Sequence, residues 1–182
     1  QSHQISLSPV DMLAEEACTS DFTLVELTIA ESSVDKTNTI RLREEKAKGF
    51  VDGMFKACYN QYIDQSPSLR NIKLIDFQVK PNFKKSINNS GTDAKTEVTL
   101  MVEVKGRGIS EFSSISRSIM YSSFVAILDA FQFYINCERS FDVLIAALTD
   151  AKQRNRYDIA EQCKFRLSKI TEANTYEKKY GN

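Results

Sequence analysis

The sequence predicts an α+β fold: pseudo-repeated strand-strand-helix units, antiparallel hairpins covered by helices, with a helical C-terminal extension. Three observations carry that expectation. Val98, Leu100 and Val102 alternate with Thr99, Met101 and Glu103, the period of a strand with one buried face. Lys105-Gly106-Arg107-Gly108 is a turn, because glycine supplies the positive φ that tight hairpins need, and alternation resumes from Ile109 to Ser116. After Ser118 the spacing changes. Met120, Phe124, Ile127, Leu128, Phe131 and Ile135 recur every three or four residues, as on an amphipathic helix.

In chain order, Gln1 to Ser20 is polar and mixed, and reads as a linker or N-terminal segment (residues 1–20). Within it, Pro9-Val10-Asp11 before Met12, Leu13 and Ala14 suits the first turn of a short helix. Phe22 to Ala30 alternates as a strand. Thr39 to Leu42 is its hairpin mate, and Arg43 to Lys48 is charged and exposed. Gly49-Phe50-Val51-Asp52-Gly53 leads into a helix with Val51, Phe55, Cys58, Tyr59 and Tyr62 on one stripe. Pro67 stops it, since the residue before proline avoids helical geometry. Ile72 to Lys80 is the next strand, with Leu74 and Asp76 opposite Ile75, Phe77 and Val79. Pro81 to Ser90 is a basic, polar loop, and Asn88-Asn89-Ser90-Gly91 favours a turn. Thr23–Tyr62 and Thr96–Ile135 therefore repeat the same order of elements, and units of that kind share one core. This predicts a domain over residues 21–137. Past Cys137, Val143, Leu144, Ala147, Leu148 and Ala151 suit one helix capped by Ser140. Tyr157, Ala160, Cys163, Phe165, Leu167 and Ile170 suit another, so 138–182 reads as a helical extension whose last residues fray.

Composition narrows the function. Of 182 residues, 42% are hydrophobic, and 24 basic side chains balance 24 acidic ones. Zero net charge argues against a nucleic-acid binder, which carries a basic footprint, and Tyr157, Tyr176 and Tyr180 beside lysines do not outweigh it. No apolar run reaches the roughly 18 residues of a membrane span. Gln1 to Val10 lacks the basic start and apolar centre of a secretion signal, so a cytoplasmic location is expected. Cys18, Cys58, Cys137 and Cys163 are widely spaced, which suits reduced packing thiols rather than a metal site.

Catalytic patterns are absent from the sequence. The single histidine is His3, no G-x-S-x-G occurs, and neither common phosphate-binding glycine motif is present. The acid pairs Glu15-Glu16 and Glu44-Glu45 are neighbours whose side chains diverge, as on a solvated surface. Asp52 and Asp93 each sit in a glycine-containing turn before an element, where capping and ligand binding are both open.

A resemblance carries the reading further. Gly49-Phe50-Val51-Asp52-Gly53 is similar to a glycine-rich segment ending G-x-V-D-A. Leu74-Ile75-Asp76-Phe77-Gln78-Val79 is similar to a strand of pattern L-x-D-Y-x-V, and Gly91-Thr92-Asp93-Ala94 matches G-T-D-A before a strand. In this order and spacing, Leu24 to Tyr134 resembles the C-terminal regulatory domain of the 2-isopropylmalate synthase and citramalate synthase family. The sequence departs from it at Phe77, for a common tyrosine, at Gly53, for a common alanine, at Lys46-Ala47-Lys48, for a richer glycine run, and in its longer tail.

The resemblance implies an allosteric domain for leucine or isoleucine feedback that pairs as a homodimer. The acetyl-CoA-dependent catalytic barrel and its metal would lie elsewhere, in cis or in trans. It implies no catalytic residue and no cofactor on this chain, and no nucleic-acid or membrane partner. The implied effector-binding residues are Val51 and Asp52 at the first helix, Leu74 and Phe77 on the third strand, and Pro81, Ala94 and Thr96. Val, Leu, Phe and Ala would form an apolar cup for a branched side chain, helix N-terminal amides near Val51 would hold the carboxylate, and Asp52 would meet the ammonium. The alternative is a dimerisation and protein-interaction module of the same fold without an effector. A small enzyme would need an acid-base pair, for which the sequence offers no histidine beyond His3.

Overall fold

The computed structural model describes residues 4–16, 19, 21–81, 95–106 and 108–173. The described residues form six strands and three α-helices. Strands β1 (Ser6–Glu16), β2 (Thr23–Ser32) and β3 (Thr37–Ala47) make an antiparallel meander followed by α1 (Phe50–Tyr62). A 3-10 turn over Pro67–Asn71 leads into a second meander, β4 (Ile72–Pro81), β5 (Thr96–Val104) and β6 (Gly108–Ser116), followed by α2 (Ile119–Gln153). Helix α3 (Tyr157–Ala173) ends the described chain. The mixed α+β architecture is the expected one, and the repeat is fuller than expected. Each unit is three strands and a helix, in sheets of order β1-β2-β3 and β4-β5-β6.

The extra strand is β1, where the sequence suggested a short helix or a linker. Leu7 is buried and Met12 and Ala14 are half-buried on the inward face, but a bulge between Pro9 and Asp11 shifts the period and hides the alternation. Proline is tolerated there because β1 is an edge strand. Strand β3 also runs beyond Leu42 through the charged segment. Its outward residues pair across the sheet, Arg43 with Glu26 at 3.0 Å, so charge did not end the strand.

Val25, Leu27 and Ile29 from the first sheet and Val98, Leu100, Val102 and Val104 from the second are buried. All of these except Val98 share one core with Met54, Ala57, Cys58 and Tyr62 of α1 and Phe124, Ile127, Phe131 and Tyr134 of α2. Helix α1 lies on β2 and β3, α2 lies on β5 and β6, and the helices meet where the Phe55 and Phe131 rings are 5.1 Å apart. The centre of the α1 face is Met54 and Ala57, with Val51, Phe55 and Tyr59 only half-buried at its margin.

Helix α2 is one rod of 35 residues, not two helices separated at Cys137–Ser140. Ser118 caps it, accepting from Tyr121 N–H at 3.2 Å, and Ser140 lies in its interior. No glycine or proline interrupts Ile119–Gln153, and serine alone is a weak stop. The sequence-based boundary at 137/138 falls inside this helix. Beyond the main core, Phe141 and Leu167 join α2 to α3 in a smaller cluster. In α3, Ala160, Cys163 and Leu167 face inward, while Tyr157 and Phe165, expected on that face, are 75% and 66% exposed. Among the described residues no helix is long and apolar enough to cross a membrane.

Candidate functional site

The residues that the resemblance singled out cluster first around the start of α1. Gly49 enters the helix at φ +104, a conformation that suits glycine, and no side chain caps the N-terminus. Gly49 has no side chain to accept from the first-turn amides, and the Gly53 N–H bonds the Gly49 carbonyl at 3.1 Å. Asp52 accepts the Lys48 backbone N–H at 2.9 Å and the Lys56 ammonium at 2.7 Å. Partial burial works to raise its pKa, but the Lys48 N–H, the Lys56 hydrogen bond and the lysine charges outweigh it and hold the carboxyl below its ordinary value. Asp52 thus already has a cation, and an incoming ammonium would have to share it or displace Lys56.

The start of α1 reaches the second sheet through Phe50, whose ring meets Phe77 edge-on at 6.3 Å. On β4, Leu74 and Phe77 are on the same, inward face, opposite Val102 and Leu100. Simple alternation placed them on opposite faces. A bulge between Leu74 and Asp76 supplies the extra residue, turning Ile75 and Asp76 outward. Asp76 accepts from the Gln78 side chain at 3.0 Å and the Phe77 N–H at 2.8 Å, which hold its carboxyl low. Val51, Leu74 and Phe77 are half-buried against the main core. Pro81 and Thr96 face each other at the far end of the β4–β5 ladder, four residues beyond Phe77. Ala94, with the rest of Gly91–Ala94 and the Pro81–Ser90 loop after Pro81, lies outside the described residues. The structure thus joins α1 to Leu74 and Phe77 and pairs Pro81 with Thr96.

None of these residues lines the two cavities on the α2–α3 side of the molecule. One, of about 500 Å³, lies between Phe112 of β6, the Asp129–Ser140 stripe of α2 and Ile170 of α3. The other, of about 420 Å³, lies between Val143 and Leu144 of α2 and Phe165 and Lys169 of α3. Sequence reasoning missed both: the first is assembled from elements far apart in the chain, and the second from the packing of two consecutive helices. The available signal was Asp129, a carboxylate in an otherwise apolar and aromatic stretch of helix.

Other chemistry-bearing groups have structural work. Glu138 is 5% exposed and accepts from the Ser68 hydroxyl at 2.7 Å and the Ser68 N–H at 3.2 Å, tying the 3-10 turn to α2. Tyr62 donates to Glu31 at 2.8 Å, and burial, then that bond, push its phenol pKa up. Burial pushes the Cys58 thiol up to about 12, the opposite of an activated nucleophile. Among the described residues Cys58, Cys137 and Cys163 form no disulfide, and Cys18 lies outside them. Among the described residues no group of three or more His, Cys, Asp or Glu side chains is placed to hold a metal. No protein-family model matches this chain, and no curated protein matches it significantly.

Proposed function

We propose that this chain is a regulatory domain of the 2-isopropylmalate synthase and citramalate synthase type, one that dimerises and binds leucine or isoleucine to report on a branched-chain pathway. The observation that carries the reading is the contact between the two βββα units at Phe50 and Phe77. It sets the uncapped α1 N-terminus beside the bulged strand that presents Leu74 and Phe77 together. Uncapped first-turn amides suit a carboxylate, and the half-buried Val51, Leu74 and Phe77 suit a branched aliphatic side chain.

Strand β4 is a sheet edge with Ile75 and Val79 40% and 39% exposed. In this reading a second copy pairs with that edge, where Ile75 and Val79 stand among Lys73, Asp76 and Lys80, and closes the open side of the cup. The catalytic barrel, in this reading, is a separate unit in cis or in trans.

A second reading, a dimerisation and protein-interaction module without an effector, draws on the Asp52–Lys56 pair, which already neutralises the carboxylate assigned to the ammonium. Calorimetric titration with leucine, isoleucine and valine separates the two. The sensor reading expects saturable binding of one of them, with about 2.7 kcal/mol of stabilisation at a hundredfold excess over Kd, and loss of binding in Asp52→Ala. A folded, dimeric chain that binds none of the three leaves the interaction module.

A further inference from the structure

The cavity between β6, α2 and α3 has a chemistry of its own, independent of the α1 site. Its volume of about 500 Å³ lies within the range of small-molecule sites. Two of its walls are rings: Phe112 on β6 and Phe133 on α2 have centroids 5.9 Å apart and planes tilted by 58°. One turn before Phe133 on the same face of α2 stands Asp129, the only ionisable carboxylate or amine among the described lining residues. Cys137 and Ile170 continue the wall as apolar surface.

Two of the polar side chains of the lining are committed. Gln132 accepts the Leu7 N–H through Oε1 at 2.7 Å, and the Asn136 amide both accepts from and donates to the Ile5 backbone at 2.8 Å. These bonds fix two neutral amides on β1 and leave Asp129 as the charged group. Asp129 and Phe133 stand at the open side of the cavity, both exposed to solvent, and partial burial of the carboxyl raises its pKa.

We propose that this cavity is a binding site for a small organic ammonium ion, with Asp129 as its counter-ion and Phe112 and Phe133 as its aromatic walls. A ring face attracts a cation through its quadrupole, and Asp129, one turn from Phe133 on α2, adds the counter-charge beside the paired rings. Besides Asp129, the described walls carry Gln4 and Ser140 as further polar side chains, both neutral. An alkylated ammonium, which carries its charge on methyl groups that pack against rings, therefore fits better than one needing three hydrogen bonds. Its apolar remainder would lie along Cys137 and Ile170.

The experiment compares choline with its uncharged isostere 3,3-dimethylbutan-1-ol on the full chain at constant ionic strength, by calorimetry and by chemical-shift changes at Phe112 and Phe133. Saturable choline binding, about tenfold or more tighter than the isostere, is the expected result. Asp129→Asn should abolish most of that difference while leaving the melting temperature and any leucine binding unchanged, and Phe133→Ala should weaken choline as well. Equal affinity for choline and the isostere, absence of saturable choline binding, or full choline affinity in Asp129→Asn would each overturn the proposal. Leucine titrated into Asp129→Asn keeps this outcome separate from that of the α1 site.

Discussion

Gly53 shows how closely α1 approaches its sheet. A Cβ built there would lie 2.5 Å from Val25 Cγ2 and 2.9 Å from Ala47 Cβ, both on fully buried residues. The family pattern that the sequence resembles has alanine at this place, and in this chain the space for its methyl group is taken by Val25. Gly53→Ala gains about 1 kcal/mol of helix propensity, but the overlap costs about 1–3 kcal/mol because neither neighbour can swing away. The expected outcome is a net loss of stability, read as a lower urea midpoint at unchanged m-value. A rise in the midpoint would show that α1 can move away from β2 and β3 at little cost. The shift bears on the proposed site because Gly53 follows Val51 and Asp52, so the same displacement changes their placement relative to Phe77. The types of those residues were legible in the sequence. Their pairing was not: Lys56 neutralises Asp52 one helical turn on, and the bulge at Ile75 brings Leu74 and Phe77 to one face.

At the scale of elements, α2 joins parts of the fold that no single period in the sequence connects. Its amphipathic start was legible because Phe124, Ile127, Phe131 and Ile135 all meet one core. Its continuation was not, because the buried face changes partner along its length, from the sheets to the 3-10 turn at Glu138 and then to α3. Strand β1 was hidden for a related reason: its bulge breaks the period of two, and its outer edge is satisfied by side chains. Gln132 and Asn136, one turn apart on α2, bond the Leu7 and Ile5 backbone as a neighbouring strand would. Asn136→Leu keeps the volume and removes those bonds, leaving the N–H and C=O of the buried Ile5 unpaired at about 1–3 kcal/mol. Faster amide exchange at Ile5 and Leu7, with β4–β6 unchanged, is the expected result. Uniform loss of protection across both sheets would instead make β1 part of the global folding unit.

Across the whole molecule, the two βββα units are not two domains in cooperative terms, because Val25, Leu100, Met54 and Phe131 belong to a single cluster. The α2–α3 contact is a second and smaller one, built on Phe141 and Leu167 with Cys137, Leu144, Ile145, Leu148 and Ile170. Separate clusters open separately, with free energies set by their own buried area. Phe131→Ala should therefore destabilise the whole fold by about 3–5 kcal/mol, since its ring is fully buried between the units. Leu167→Ala removes a side chain of similar chemistry, but one 9% exposed in the small cluster. It should cost about 2 kcal/mol or more locally, the lower end for such a truncation. Native-state hydrogen exchange distinguishes the two: Phe131→Ala lowers protection in both sheets together, whereas Leu167→Ala lowers it in α3 and the last turns of α2 and leaves β2 and β5 unchanged. Should Leu167→Ala lower protection in β2 and β5 as well, the α2–α3 hairpin is part of the global unit, and the rod of α2 transmits its packing to both sheets. In that case occupancy of the cavity walled by Ile170 would be energetically linked to the α1 site, because α2 contacts both α3 and α1.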